Sequence, residues 1–171
     1  MSKMVNIGSI QISITETPGH VSYQISGTVD ESFKQENVPR IKAQTITLDL
    51  EGLKSFNSCG VREWVFLIKD LDKLGQLHFT KCSIPMVDQL NMVPDSAGNS
   101  IIESFYAPYA CSDHGEVEHL INVHDNSKDL QSHVAPEKTC STCRNPLIFD
   151  AMADSYFLFL APSKSKPKKA S

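Results

Sequence analysis

Apolar and polar residues alternate at the start of the chain, first between Val5 and Ile14 and again between Val21 and Ile25. A period of two is typical of β-strands that pack on one face only. The Pro18-Gly19 pair between the two segments is typical of a tight turn. The pattern therefore predicts two strands that are joined by a hairpin.

A later alternating segment passes directly into a pattern with helical spacing. Ile46, Leu48 and Leu50 alternate with polar residues, and a short turn is expected after them. Apolar residues then recur every three or four positions and form one helical face: Val61, Trp64, Val65, Ile68, Leu71 and Leu74. Because glycine favours the end of a helix, we expect this amphipathic helix to end near Gly75.

The remaining elements of the first two thirds have weaker signals. Residues 29–41 contain Pro39, so only a short or irregular helix is expected there. Residues 77–80 indicate a further strand. Residues 83–93 predict a helix, with a serine cap and a proline in its first turn. Residues 100–109 then predict the last strand of the sheet.

Ser58 lies where the predicted turn meets the predicted amphipathic helix. The first N–H groups of a helix have no partner within the helix, and the helix dipole favours an anion there by roughly 0.3–1 kcal/mol. A phosphoserine at this position would be tolerated without unfolding the helix. The alternative is that Asn57 or Ser58 is only the N-cap, since both residue types fill that role well.

The order of these elements resembles the STAS domain of bacterial anti-sigma-factor antagonists. The resemblance rests on the acidic tip 50–53, on the loop and helix start 56–61, and on the helix and strand that follow, and it extends over about residues 1–105. In that family a serine that follows an aspartate is phosphorylated by a partner kinase, and this releases the partner. The resemblance therefore implies that Ser58 is the phosphoacceptor and that Asn57, Cys59 and Gly60 complete a switch loop. In this chain Asn57 replaces the usual aspartate, and Cys59 stands where a second serine is common.

Four candidate metal ligands follow in two closely spaced pairs, Cys111 with His114 and Cys140 with Cys143. Zinc prefers four tetrahedral sulfur or imidazole ligands, and a two-residue spacer lets both donors of one turn face the same ion. Strand-like segments surround both pairs, and the region resembles a zinc ribbon. Gly115 and Asn145 are expected to adopt positive φ in the two turns. The sequence therefore predicts a structural zinc ion (Zn2+).

Redox and catalytic uses of these residues are disfavoured. A redox role of Cys140 and Cys143 is disfavoured because a strand-like segment, rather than a helix, follows the pair. A catalytic zinc needs an open coordination position, and four closely spaced ligands close the shell even though Asp113 is adjacent. Three further histidines remain alternatives to His114 as the fourth ligand: His119, His124 and His133.

Charge and composition restrict the possible partners and the compartment. The net charge is −4 although the last eight residues hold four lysines, so the rest of the chain has a net charge near −8 and would repel nucleic acid. No apolar run is long enough to span a bilayer, and the N-terminus lacks a signal-peptide core, so we expect a cytoplasmic protein without a membrane partner. An odd number of cysteines, five, argues against a disulfide framework in that compartment. The four lysines are Lys164, Lys166, Lys168 and Lys169.

These observations together predict an α/β protein in three parts. A STAS-like mixed sheet with helices packed on it occupies residues 1–106, a small zinc-ribbon-like β subdomain occupies 107–162 and docks against the sheet edge, and a disordered basic tail occupies 163–171. We expect Cys59 to be half-buried and Cys82 to lie in the core, and we expect the apolar segment 150–160 to pack on the protein rather than face a partner.

The predicted function is that of a non-catalytic regulatory module that binds a protein. By resemblance, the partner is an anti-sigma-type serine kinase or a related signalling protein. The alternative is a zinc-ribbon adaptor that contacts protein or nucleic acid and has an unphosphorylated STAS scaffold. A thiol reductase or a zinc hydrolase is disfavoured, because the sequence shows neither a nucleophile paired with a base nor an open metal site.

Overall fold

A computed structural model of the chain describes residues 2–161, so the predicted tail 163–171 lies outside the described residues. Six strands form a mixed sheet in chain order: β1 (Ser2–Ile7), β2 (Ile10–Thr17), β3 (His20–Val29), β4 (Thr45–Phe56), β5 (Gln76–Thr80) and β6 (Ile101–Ile102). The pairs β1–β2 and β2–β3 are antiparallel, and the pairs from β3 to β6 are parallel. The expected α/β class with a mixed sheet is confirmed.

The N-terminal part contains three strands rather than the two that the alternation predicted. The expected hairpin at Pro18-Gly19 is present, but a second turn at Gly8 and Ser9 divides the first segment. Gly8 has a φ of 57°, a conformation that residues with a β-carbon rarely adopt. The spacing between apolar residues changes from two to three at this turn, between Ile7 and Ile10, and this break in the alternation is the local signal that the prediction missed.

β4 is longer than predicted. A turn was expected after Leu50, but the strand continues to Phe56. It continues because β4 stays paired with β3 along its whole length, with two shifts in the register of the pairing. The segment between β3 and β4 contains only a 3₁₀ turn, Gln35–Asn37, as the presence of Pro39 predicted.

Two helices cover one face of the large sheet: α1 (Ser58–Leu71) and α2 (Ile84–Met92). The apolar face of α1 is buried as expected, with Trp64 and Ile68 fully enclosed. The helix ends at Leu71, one turn before Gly75, and Asp72 is its C-cap. α2 begins as predicted, with the Ser83 hydroxyl accepting the Met86 N–H.

The strand predicted at 100–109 is divided between two sheets. Only β6 joins the large sheet, where it pairs with β5. The chain then leaves that sheet and forms a second one, in the order β8–β7–β9, from β7 (Ser104–Cys111), β8 (Gly115–Asn122) and β9 (Ile148–Phe149). The sheets stay adjacent because backbone hydrogen bonds join Cys82 to Ser104 and Tyr106.

The C-terminal segment packs on the protein, as expected for 150–160. A short helix, α3 (Ser127–Gln131), lies between β8 and β9, and the segment 150–160 itself contains α4 (Ala153–Tyr156) and a 3₁₀ turn, Leu158–Leu160. Phe157 is fully buried and lies edge-on to Phe105 of β7. The buried side chains of both sheets form one continuous core, which includes the fully buried Cys82. The division of the chain into a STAS-like domain and a zinc-ribbon-like subdomain after residue 106 stays a prediction.

Within residues 2–161, none of the helices has both the length and the apolar character that crossing a bilayer would require. The cytoplasmic location stays a prediction.

Candidate functional site

The first pair of candidate ligands lies at the turn of the β7–β8 hairpin. Cys111 is the last residue of β7, and His114 directly precedes Gly115, the first residue of β8. Gly115 has a φ of 76°, as predicted, so the hairpin turns without backbone strain. The strand pairing thus fixes the separation of Cys111 and His114.

The second pair lies in a tight turn between Thr139 and Pro146, which form an isolated β-bridge. The Cys140 N–H donates to the Asn145 carbonyl at 2.8 Å, and the Arg144 N–H donates to the Cys140 carbonyl at 2.9 Å. The positive φ, 62°, belongs to Arg144 and not to Asn145, so that prediction was wrong by one residue. The hydrogen bonds of the turn decide which residue adopts this conformation, and residue type alone does not show it.

Two contacts hold the turns against each other. β9, which follows the second turn, pairs with the end of β7. The Asn145 side-chain amide donates to an Asp113 carboxylate oxygen at 2.9 Å. Residues far apart in sequence are therefore brought together by strand pairing and one side-chain hydrogen bond.

Three of the six distances among the four donor atoms match those expected for a tetrahedral zinc site. With Zn–S bonds of about 2.3 Å and Zn–N bonds of about 2.0–2.1 Å, two sulfurs lie about 3.8 Å apart, and a sulfur and a nitrogen about 3.5 Å apart. His114 Nδ1 lies 3.5 Å from both Cys111 Sγ and Cys140 Sγ, and Cys111 Sγ lies 3.6 Å from Cys143 Sγ. All four donors lie within 4.8 Å of one another. These residues therefore fit a metal ion with zinc-type ligands.

The thiol environments favour thiolates at two of the three cysteines. The Asp113 backbone N–H and the His114 imidazole lower the pKa of Cys111. The backbone N–H groups of Cys143 and Thr142 lower the pKa of Cys140 to about 6. For Cys143 the Asn145 N–H also lowers the pKa, but burial and the two neighbouring thiols outweigh it and raise the pKa to about 11. Zinc binds thiolates, so this environment suits a cation.

The other histidines lie apart from this group of donors. His119 packs edge-on against Tyr109, with ring centroids 5.6 Å apart, and burial lowers the pKa of its imidazole. His124 is almost fully exposed, and His133 lies 3.6 Å from Asp154. Among residues 2–161, the group within ligand distance contains His114 rather than any of these three.

The loop before α1 has a different arrangement. Asn57 is the N-cap, and its side-chain oxygen accepts the Gly60 N–H at 2.9 Å. Ser58 is the first helical residue and is exposed. Cys59 is also exposed, so its expected half-burial was wrong. Gly60 is the buried residue of this loop, and it lies so close to the Val29 carbonyl that a β-carbon would not fit.

An acidic neighbour of this loop was not predicted. The Asn57 side-chain amide donates to a Glu31 carboxylate oxygen at 2.6 Å. Glu31 lies 26 positions before Asn57 and follows the end of β3, which is parallel to β4. Its position depends on strand pairing, and no local sequence signal indicates it. The carboxylate of Glu31 thus contacts Asn57, the residue directly before Ser58.

No protein-family model matches the chain, and no curated protein matches it significantly. The functional assignment therefore rests on the residues and the structure of this chain.

Proposed function

We propose that the chain is a non-catalytic regulatory module of STAS type that binds a partner protein through the surface around Ser58. Phosphorylation of Ser58 switches this contact, and a structural zinc ion holds a zinc-ribbon-like C-terminal unit. One observation carries the proposal: Ser58 is exposed at the first position of a 14-residue helix whose capping is done by Asn57.

The division of roles between Asn57 and Ser58 is the main physical support. An N-cap side chain must accept an N–H of the first turn, and Asn57 does this through Gly60. The Ser58 hydroxyl has no hydrogen-bond partner among residues 2–161, and the start of the helix does not depend on it. It is therefore accessible to a kinase, and its modification leaves the cap intact.

A phosphate on Ser58 would change the charge of this surface strongly. It adds about −1.5 to −2 charges close to the positive end of the helix, which favours the anion. Glu31 lies beside the same loop and repels it. The fold would tolerate the phosphate, whereas a partner already docked on the loop would meet repulsion and an added desolvation cost.

The strand order supports the STAS-like part of the proposal. A run of parallel strands from β3 to β6, with α1 and α2 on one face, places the Ser58 loop at the carboxyl end of β4. Loops at this edge of a parallel sheet are where α/β proteins commonly bind their ligands. The same edge is therefore suited to partner contact.

The zinc-ribbon-like part is proposed from the hairpin and the turn that carry the donors. Four sulfur and imidazole ligands close a tetrahedral shell, so the ion would supply folding energy and not an open catalytic position. Asp113, the nearest candidate base, is already bound by Asn145. The second pair lies in a segment with little regular structure, which metal binding would stabilise.

A second candidate is an adaptor that uses the C-terminal unit to contact another protein. Leu120 of β8 and Ile148 of β9 are 43% and 72% exposed on the outer face of the small sheet. Glu116 and Glu118 make the same sheet acidic, which favours a protein over nucleic acid. In this case Ser58 is never modified.

Phosphorylation and partner binding can be tested together. The purified full chain is incubated with ATP and an anti-sigma-type serine kinase, and native mass spectrometry then counts zinc and phosphate. We expect one zinc ion in each variant, one phosphate on the wild type and on Cys59→Ser, and none on Ser58→Ala. In a pull-down, Ser58→Asp should lose the kinase while Ser58→Ala retains it.

A different pattern would reject the switch. If Ser58→Ala is phosphorylated like the wild type, the phosphoacceptor is another residue. If the wild type binds the kinase but takes up no phosphate, and Ser58→Asp binds equally well, the adaptor function is favoured instead.

A further inference from the structure

An apolar groove of about 250 Å³ lies where the described residues end, at Ala161. Leu130 and Phe157 form its inner side and are buried, and Val123 and Leu160 form half-buried walls. The groove is open to solvent, and its surface is mostly apolar. The remaining lining residues are Ser127, Gln131, His133 and Ala161.

The apolar surface continues beyond the groove. Leu158 is 52% exposed, and its carbonyl accepts the Ala161 N–H at 3.0 Å across the 3₁₀ turn. Residues three apart in a 3₁₀ turn lie on the same side, so Leu158 extends the apolar rim at Ala161. The groove and Leu158 therefore form one surface that is suited to an apolar partner.

Positive charge follows the groove directly in the sequence. Residues 162–171 contain no acidic residue and hold four lysines: Lys164, Lys166, Lys168 and Lys169. An extended chain spans at most about 3.6 Å per residue, so connectivity alone keeps all four within about 30 Å of Ala161. Among residues 2–161, those that line the groove include no carboxylate, although Asp154 lies 3.6 Å from His133 on the wall. A partner of this surface therefore meets an apolar groove beside a surplus of positive charge.

We propose that this surface binds the face of an anionic phospholipid membrane. The groove takes up the glycerol and upper acyl part of one lipid, and the lysines contact the phosphates of its neighbours. A lipid surface presents phosphates on every side of the groove, so all four lysines can bind one whichever way the chain leaves Ala161. Duplex nucleic acid offers phosphates but no apolar chain that could enter the groove.

This contact lies at the surface of the bilayer and needs no spanning helix. It revises the expectation that the chain has no membrane partner, which rested on the absence of a long apolar run. Each lysine near an anionic surface strengthens binding by about fivefold, and burial of the Leu160 side chain adds roughly tenfold. The inference goes beyond the proposed function and is independent of it, because neither Ser58 nor the metal donors line the groove.

The test is co-sedimentation of the full chain with vesicles of phosphatidylcholine, either alone or mixed with phosphatidylglycerol. One variant replaces the four lysines of residues 162–171 with glutamine. Leu160→Gln weakens the apolar wall, and Leu120→Gln, at a position 43% exposed on β8, is its matched control. A charge-matched control replaces four exposed lysines elsewhere with glutamine: Lys3, Lys34, Lys42 and Lys54.

We expect the wild type to bind the vesicles that contain phosphatidylglycerol and not those of phosphatidylcholine alone, and to bind less at high salt. Loss of the four lysines after Ala161 should weaken binding by at least about a hundredfold, and Leu160→Gln should weaken it by roughly tenfold. Both controls should bind like the wild type. Ser58→Ala should also bind like the wild type, so failure of the phosphorylation switch and failure of this inference are distinguishable.

Several results would overturn the inference. An equal loss in the charge-matched control would show that only net charge matters. Binding of the wild type to duplex DNA, with no binding to either kind of vesicle, would assign the lysines to nucleic acid. A wild-type dimer that Leu160→Gln dissociates, in sedimentation without vesicles and with no vesicle binding, would assign the groove to a second copy of the chain. If Leu160→Gln does not fold, Ala161→Glu replaces it, because Ala161 is exposed, and unchanged vesicle binding in that variant would exclude the groove.

Discussion

The hydroxyl of Tyr106 on β7 donates a hydrogen bond of 2.5 Å to the carboxylate of Glu51 on β4. This bond joins the small sheet to the large one on the surface of the protein. Lys81 lies 3.2 Å from the same carboxylate, so Glu51 has two partners from elements that follow it in the chain. The relative position of the sheets is therefore supported by polar contacts as well as by the shared core.

The first prediction concerns this pair. The hydrogen bond from Tyr106, and then Lys81, lower the pKa of Glu51 below its ordinary value of 4.5. A pKa that is lower in the folded state than in the unfolded state means that the ionised carboxylate stabilises the fold. This stabilisation is fully present above about pH 4.5, and it is lost as the pH falls through the lower pKa of the folded state. The group is largely exposed, so we expect a coupling free energy of at most about 1 kcal/mol between Glu51→Gln and Tyr106→Phe. Urea unfolding of both single variants and the double variant measures it.

The coupling should shrink as the pH is lowered from neutral toward about pH 2, because protonation removes the charge. A coupling free energy that does not change over this range would contradict the assigned role of the carboxylate.

The second prediction separates the two residues at the start of α1. Asn57→Ala removes the acceptor of the Gly60 N–H and the donor to Glu31, so we expect a loss of about 1 kcal/mol in the free energy of unfolding. Ser58→Ala should change it by less than about 0.5 kcal/mol, because Ser58 is exposed and does not cap the helix. Denaturant unfolding of both variants provides the comparison. Equal losses would mean that Ser58 contributes to the cap.

The third prediction concerns the C-terminal segment. The Asn91 side chain on α2 donates to the Tyr156 carbonyl at 2.9 Å and accepts the Phe159 N–H at 2.8 Å. Asn91→Ala should cost about 1–3 kcal/mol, since it leaves two partly enclosed backbone groups without their partner. Hydrogen exchange should become faster at the Phe159 amide. Met92→Ala, an exposed neighbour on the same helix, should change neither quantity, and protection unchanged in Asn91→Ala would contradict this anchoring role.

The fourth prediction concerns metal removal. Cys140→Ser should abolish stoichiometric zinc binding, whereas Cys59→Ser should retain it, because Cys59 lies outside the donor group. Free zinc at a hundredfold excess over its Kd should stabilise the wild type by roughly 2.7 kcal/mol and should not stabilise Cys140→Ser. Thermal unfolding with and without a chelator measures this difference.

Hydrogen exchange should locate the effect of metal removal. Protection at the Cys140 and Arg144 amides should fall when zinc is removed, while the strands of the large sheet stay protected. Loss of protection across both sheets would show that the metal supports the whole fold.

Local periodicity determined most of the regular elements of this protein. The period of two marked the β-strands, and the three-and-four spacing marked α1, because each pattern reflects which face of an element is buried. The spacing of Cys111 with His114, and of Cys140 with Cys143, identified four donors that the structure brings together. Donor pairs in tight turns have a local signature, so they are visible without coordinates.

Tertiary structure decided the relationships between distant segments. Strand pairing placed Glu31 beside Asn57 and assigned Ser104–Cys111 to a second sheet instead of the large one. Such contacts join residues far apart in sequence, and no short pattern encodes them. The sequence therefore determined which groups are available for chemistry, and three-dimensional packing decided which of them come into contact. The physical reason is that burial of one face produces a periodic pattern of apolar residues along the chain, whereas contact between distant residues produces no such pattern.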